Sequence, residues 1–134
     1  MNLEKEISLA GRLAEAAAQA IRPHFRSAVE SDKKSDDTPV TIADRKAEEV
    51  MRRILKAEAP GDGIVGEEFG TEEGTSGRSW VLDPIDGTVS FLVGRPIFGT
   101  LISLVVDGFP VLGVIDHVLG VIFQGVLDVY KLLV

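Results

Sequence analysis

Apolar residues recur at helical spacing near the start of the chain and predict a long amphipathic helix over residues 3–25. The recurring positions are Leu3, Ile7, Ala10, Leu13 or Ala14, Ala17, Ile21 and Phe25. Pro23 is expected to kink or end this helix, because an interior proline removes a backbone hydrogen bond and clashes with the preceding turn.

A second helix is predicted from a capping box at Thr41-Ile42-Ala43-Asp44, in which a hydroxyl is followed three residues later by an acid. Apolar side chains then share one face as far as about Glu58, and Pro60-Gly61 ends the helix. The residues of that face are Ala43, Ala47, Val50, Ile54 and Ala57. The polar residues 31–38 before this helix fit either a solvated connection or a mobile loop that closes over a metal site.

Short apolar runs further along the chain predict strands. Residues 64–68 form a strand that ends in Glu67 and Glu68, whose side chains would point to opposite faces, so that only one reaches a site easily. Residues 70–78 are predicted as a loop, residues 80–86 as a strand, and residues 98–106 and 109–116 as a hairpin around Asp107-Gly108. Residues 120–128 fit a third antiparallel strand. The predicted fold class is α+β, with two long helices packed on an antiparallel sheet in a single domain over residues 1–134.

The composition restricts the possible partners. A net charge of -7 argues against nucleic acid, and an acidic protein that handles phosphate esters needs bound divalent cations to reverse the local sign of charge. The chain has no cysteine, which excludes disulfides and thiolate metal sites. The N-terminus lacks the pattern of a signal peptide, so a cytoplasmic location is expected. Charged and polar residues interrupt the apolar residues 111–134 too often for a membrane span.

The stretch from Trp80 to Thr88 holds the most distinctive chemistry. Asp83 and Asp86 offer hard oxygen ligands at the end of a buried strand, and such ligands suit Mg²⁺, Mn²⁺ or Ca²⁺. Gly87 and Thr88 open a segment that can form a short helix, whose first N–H groups suit an anion. The same residues also fit ordinary turn chemistry, with Asp83 as an N-cap before proline and Asp86-Gly87 as a turn dipeptide. Taken alone, the stretch leaves both interpretations open.

The wider sequence resembles the inositol monophosphatase family of Mg²⁺-dependent, often lithium-sensitive phosphatases. The similar segments, in the family's order, are Pro39-Val40-Thr41-Ile42-Ala43-Asp44, Gly66-Glu67-Glu68, Trp80-Val81-Leu82-Asp83-Pro84-Ile85-Asp86-Gly87-Thr88, Ser90-Phe91 and Gly94-Arg95-Pro96. Together they extend over most of residues 35–116. The combination is far more specific than any one segment.

The resemblance implies a role for each matching residue. It implies that Mg²⁺, or Mn²⁺ in its place, is held by the side chains of Glu67, Asp83 and Asp86 and by the backbone carbonyl of Ile85. Glu67 and Thr88 would orient the attacking water, and the N–H groups of Gly87 and Thr88 would hold the phosphate. Asp44, together with Thr41, would support the site, and the loop around residues 34–37 would form a lid that helps to bind a further ion.

Residues 90–116 look closest to histidinol-phosphate phosphatases of the inositol monophosphatase type. The resemblance implies Mg²⁺-dependent hydrolysis of a small phosphate monoester, of the histidinol phosphate or inositol monophosphate type. Family members are about twice as long, so the chain is expected to correspond to the N-terminal metal-binding half without the C-terminal domain. A half enzyme exposes apolar surface, which favours a homo-oligomer. The alternative function is a half-domain that keeps the fold and partial metal binding with little or no catalysis.

Overall fold

The computed structural model describes residues 2–26 and 39–117, which form a helical layer on a five-stranded sheet. The elements are α1 (Glu4–Ile21), a 3₁₀ turn (Arg22–His24), α2 (Pro39–Glu58), β1 (Gly63–Gly66), β2 (Gly70–Glu72), β3 (Arg78–Asp86), α3 (Thr88–Leu92), β4 (Gly99–Val106) and β5 (Phe109–Asp116). The predicted strand at 120–128 and the polar loop at 31–38 lie outside the described residues. The predicted α+β class is confirmed.

Helix α1 confirms the first predicted helix and most of its buried face. Leu13, Ala17 and Ile21 are fully buried, whereas Ile7 is exposed. The helix ends at Ile21 and passes into the 3₁₀ turn that contains Pro23, which agrees with the inability of proline to continue an α-helix. No helix within residues 2–26 and 39–117 combines the length and apolar character needed to cross a membrane.

Helix α2 begins at Pro39, so the capping box predicted at Thr41 is wrong. Proline is itself a favourable first helical residue, and it starts the helix two residues earlier. The buried face also differs from the prediction. It includes Met51 and Leu55, while Val50 and Ile54 are half-buried and Ala57 is exposed. Three charged residues, Asp44, Glu48 and Arg52, complete this buried face, which a purely apolar pattern cannot reveal.

The sheet has the strand order β2-β1-β3-β4-β5 and is mixed, not purely antiparallel as predicted. Strands β1 and β3 pair in parallel, and the other three pairings are antiparallel. The parallel pairing results from residues 70–78. This segment was predicted as a loop but contains β2. After β2 the chain returns to the start of β1, where the N–H groups of Thr75 and Ser76 donate to the Gly61 carbonyl at 2.8 and 3.1 Å. Strand β3 therefore enters beside β1 in the same direction.

Only one face of the sheet is covered by helices among the residues that the structure describes. Helix α2 packs on β3, and α1 packs on β4 and β5. The covered face contributes the fully or nearly fully buried residues of the core, which are Trp80, Leu82, Ile102, Leu104, Leu112 and Val114. On the opposite face Val81 and Ile115 are exposed and Leu101 is half-buried. The core thus lies between the helix pair and one side of the sheet.

Leucine-to-alanine substitutions on the two faces of β4 test this layering. Leu104→Ala is expected to lower the free energy of unfolding by about 3 kcal/mol, because it opens a cavity in the core. Leu101→Ala, on the open face of the same strand, is expected to lower it by about 1 kcal/mol or less. Urea denaturation of both variants measures the difference. Equal losses would contradict the assignment of the covered face.

Candidate functional site

Strand β3 ends in a bulge that brings two aspartates to the edge of the core. Asp83 pairs with Leu101 and Asp86 with Gly99, so β3 holds one more residue than β4 over this interval. The bulge accommodates Pro84, which has no N–H to donate to the neighbouring strand. The carbonyl of Pro84 accepts a hydrogen bond from the hydroxyl of the fully buried Thr100 at 2.8 Å. The extra residue interrupts the alternation of buried and exposed side chains along β3. Pro84 and Ile85 are both buried, whereas Asp83 is half-buried and Asp86 is exposed.

The predicted short helix follows directly and is confirmed as α3. Gly87 precedes it with φ 94° and ψ 42°, a left-handed conformation that suits glycine. A Cβ at this position would lie 2.8 Å from the Ile97 carbonyl oxygen, so the close approach of residues 97–98 also requires glycine. The Thr88 hydroxyl faces the Ile85 carbonyl at 3.5 Å. The N–H groups at the start of a helix have no helical acceptor, which leaves the beginning of α3 open to an anion.

An aromatic cluster fixes the position of α3 on the rest of the molecule. The rings of Phe25, Phe91 and Phe98 lie with their centroids 5.0 to 5.5 Å apart in tilted and edge-to-face pairs. Such pairs add about 0.5 to 1.5 kcal/mol beyond simple burial. The Nε of Arg26 also donates to the Gly94 carbonyl at 2.8 Å. The short helix therefore depends on contacts with the segment that follows α1.

Glu67 and Glu68 lie in the turn between β1 and β2, not within a strand as predicted. The strand prediction for these two residues is wrong because β1 ends at Gly66. Their side chains are consequently not confined to opposite faces. Both carboxylates contribute to the electrostatic potential at Asp44 and raise its pKa.

The carboxyl groups of Glu67, Glu68 and Asp83 all lie within electrostatic range of a fourth, that of Asp44. Burial raises the pKa of Asp44 to about 7, helped by the charges of Glu68, Glu67 and Asp83, while a backbone hydrogen bond from Ile85 opposes the rise. Burial likewise raises the pKa of Asp83 to about 6, with further contributions from a hydrogen bond to Glu67 and from the charges of Glu67 and Asp86. Burial first, then Glu48 and Glu67, raises the pKa of Glu68. The charge of Arg45 opposes the rise at Glu68, and the site still gathers several carboxylates in a partly buried place.

The donor atoms fit a hard divalent cation. Among the described residues, Oδ1 of Asp44 and Oδ1 of Asp83 are buried without a hydrogen-bond partner. Buried acceptors of this kind are destabilising unless something binds them, and carboxylate oxygens are ligands that Mg²⁺ prefers. Within the same described ranges no three acidic or histidine side chains already stand in the arrangement of a metal site. The carboxylates therefore lie near one another, but the described side chains do not converge on a single metal position.

The structure thus brings most of the predicted site residues together at one end of the sheet. Asp44, Glu67 and Asp83 interact electrostatically, Asp86 adjoins Asp83, and Ile85, Gly87 and Thr88 continue the same stretch of chain. Thr41 lies one helical turn before Asp44 on α2. The lid expected around residues 34–37 lies outside the described residues.

Sequence reasoning missed two residues next to this site. Glu48 accepts hydrogen bonds from the backbone N–H groups of Glu68 and Phe69, and Arg52 pairs with Glu48. The available signal was the spacing of Asp44, Glu48 and Arg52, each four residues apart on a helix. This spacing places an acidic and a basic side chain on the same face as a predicted site residue.

The sequence was compared with protein families and with curated proteins, and both comparisons match phosphatases of one family. The model of the inositol monophosphatase family matches residues 2–129. A histidinol-phosphatase of Chlorobaculum parvum is 46% identical over 121 residues, which are 89% of this chain and 47% of that protein. An inositol-1-monophosphatase of Mycobacterium leprae is 39% identical over 93 residues, 66% of this chain and 32% of that protein. The chain therefore spans about a third to a half of the length of these curated relatives.

A solved structure shows the same fold. An inositol monophosphatase from Zymomonas mobilis superimposes with a TM-score of 0.77 and 53% sequence identity, over 89% of this chain and 46% of that one. The described layers of helix and sheet therefore have a counterpart in a longer phosphatase.

Alanine at Gly87 tests the geometry at the start of α3. Gly87→Ala is expected to lower the free energy of unfolding by about 2 to 3 kcal/mol, because it combines a strained φ with the overlap on Ile97. Gly108→Ala is the matched control, since Gly108 has φ 84° and no atom lies within 4 Å of the position that its Cβ would occupy. Its expected loss is about 1 kcal/mol, from backbone strain alone. Equal losses in urea denaturation would show that the Ile97 contact does not restrict this position.

Proposed function

Since this chain belongs to the inositol monophosphatase family, we propose that it carries the phosphate-binding and cation-binding part of a phosphatase that hydrolyses small phosphate monoesters. The observation that supports this most is the end of β3, which carries Asp83 and Asp86 and is separated by one glycine, Gly87, from the open start of α3. Carboxylates for a cation and N–H groups for a phosphate then lie side by side. In this proposal residues 1–134 form one domain that corresponds to the N-terminal metal-binding part of the family.

Each residue has a definite task in the proposed reaction. Glu67, Asp83, Asp86 and the carbonyl of Ile85 hold Mg²⁺, with Mn²⁺ as a substitute. When bound, the cation offsets the charge of the phosphate and makes water more acidic. The N–H groups of Gly87 and Thr88 bind the phosphate oxygens at the start of α3. Glu67 and the Thr88 hydroxyl orient the attacking water, and Asp44 supports Asp83 from α2.

The substrate is proposed to be an ester of the histidinol phosphate or inositol monophosphate type. The activities of these relatives support this. A cleft of about 400 Å³ adjoins Asp86 and Gly87 and continues along Phe98 and Ile115. This volume is in the range of clefts that bind small molecules.

Three further expectations, on self-association, partner and location, are also proposals. The sheet face that no described helix covers, with Val81 and Ile115 exposed, supports self-association into a homo-oligomer. The net charge of -7 supports a partner that is a small phosphorylated metabolite and not a nucleic acid. We retain the expected cytoplasmic location as a proposal.

Phosphate release tests the proposed activity. With Mg²⁺ present, the chain is expected to hydrolyse histidinol phosphate or inositol monophosphate, and Asp83→Asn is expected to reduce the rate at least about a hundredfold, because a carboxylate at the reacting centre is lost. Asp107→Asn, in the exposed turn between β4 and β5, is the control and should retain the rate.

Two negative results have different meanings. Equal rates for Asp83→Asn and the control would contradict the role of Asp83. No release from either ester, with Mg²⁺ still raising the melting temperature, would favour the alternative of a folded half-domain that binds the cation without catalysis.

A further inference from the structure

A buried ion pair lies beneath the turn that carries Glu67. Glu48 is fully buried and Arg52 is 5% exposed, and the Nε of Arg52 donates to Oε2 of Glu48 at 3.0 Å. Burying two charges is unfavourable unless hydrogen bonds satisfy both, so an ion pair of this kind does not by itself stabilise a fold. The role of the pair is therefore indicated by the other groups that Glu48 and Arg52 bind.

Glu48 binds the backbone of the residues that directly follow Glu67 in the chain. Its Oε1 accepts the N–H of Glu68 at 2.9 Å, and its Oε2 accepts the N–H of Phe69 at 2.8 Å. Directly before Glu67, a Cβ at Gly66 would overlap the Glu48 carboxylate, so the backbone of Gly66 packs directly on this group. A single carboxylate thus fixes the chain before and after Glu67.

Arg52 binds the end of the same turn. Its guanidinium donates to the Gly70 carbonyl and, at 3.0 Å, to Oε1 of Glu72, and it lies 5.9 Å from the centroid of the Phe69 ring. Glu48 and Arg52 together therefore hold the chain on both sides of Glu67. The Glu67 side chain is not used in these contacts, and its carboxylate lies close enough to Asp83 to raise the pKa of Asp83.

We propose that Glu48 and Arg52 are positioning residues, which hold the backbone of Glu67 so that its carboxylate and that of Asp83 bind one divalent cation together. This inference rests on the proposed function, in which Glu67 and Asp83 are ligands. A turn that is already ordered loses little conformational freedom when the cation binds, whereas a loosened turn has to be ordered at that moment. Residues that orient metal ligands in this way typically change metal affinity by about 10- to 100-fold.

Glu48→Gln tests the inference with a readout other than catalysis. The glutamine keeps the size of the side chain but presents an NH₂ group to N–H donors, so one of the turn contacts is lost. Titration of the full chain with Mn²⁺, followed by the electron paramagnetic resonance signal of free Mn²⁺, is expected to give a Kd at least about tenfold higher than for the unmodified chain. The control is Glu49→Gln, because Glu49 forms the equivalent pair with Arg53 on the exposed side of α2. Its Kd is expected to stay within about twofold of the unmodified chain, since this pair lies away from the turn.

The outcomes separate a positioning role from a purely structural one. If Glu48→Gln lowers the melting temperature but binds Mn²⁺ as tightly as Glu49→Gln, the inference is wrong and the proposed function stands. If the unmodified chain binds no Mn²⁺, the proposed function fails and the inference fails with it. If Glu48→Gln does not fold, Arg52→Lys decides the matter. Lysine keeps the buried charge but cannot span Glu48, Gly70 and Glu72 at once, so a Kd raised at least about threefold is expected and an unchanged Kd overturns the proposal.

Discussion

Burial of several carboxylates beside one another is the constraint around which this structure is arranged. Asp44, Glu67, Glu68 and Asp83 come from a helix, a turn and a strand. Burial, and after it the charge of neighbouring carboxylates, raises the pKa of Asp44, Glu68 and Asp83. A fold selected for stability alone gains nothing from this, because like charges in a poorly hydrated place disfavour the compact state. The rest of the structure supplies the forces that keep these groups together. The core of Trp80, Leu82 and Leu104 fixes β3, and the bulge and the Glu48 carboxylate fix the chain near Asp83 and Glu67.

The same arrangement supports the proposal that the site binds both a cation and a phosphate. Gly87 turns the chain in a conformation that suits glycine, and α3 begins immediately after the two aspartates of β3. A cation bound by carboxylates and a phosphate bound by N–H groups would partly neutralise each other over a short distance. This complementarity is what a hydrolase for small phosphate esters requires, and it needs no cysteine or histidine nucleophile.

Much of the fold followed from simple patterns in the sequence. The helical period of α1, the apolar run of β3 and the Asp107-Gly108 hairpin were all confirmed, because each depends mainly on local residues. The parallel pairing of β1 with β3 was not predicted, since it depends on β2 and on the return of the chain to Gly61. The bulge at Pro84 and the buried Glu48 were missed for a similar reason. Each is defined by a partner distant in sequence, Thr100 for one and the turn after Gly66 for the other.

Binding of one cation by the gathered carboxylates is the central claim. A crystal of the chain grown with Mn²⁺ tests it directly, because the anomalous scattering of manganese locates the ion independently of the protein atoms. We predict an anomalous peak within about 2.5 Å of oxygens from Glu67 and Asp83, and next to the Ile85 carbonyl. A strong peak elsewhere, with none at the end of β3, would contradict the claim.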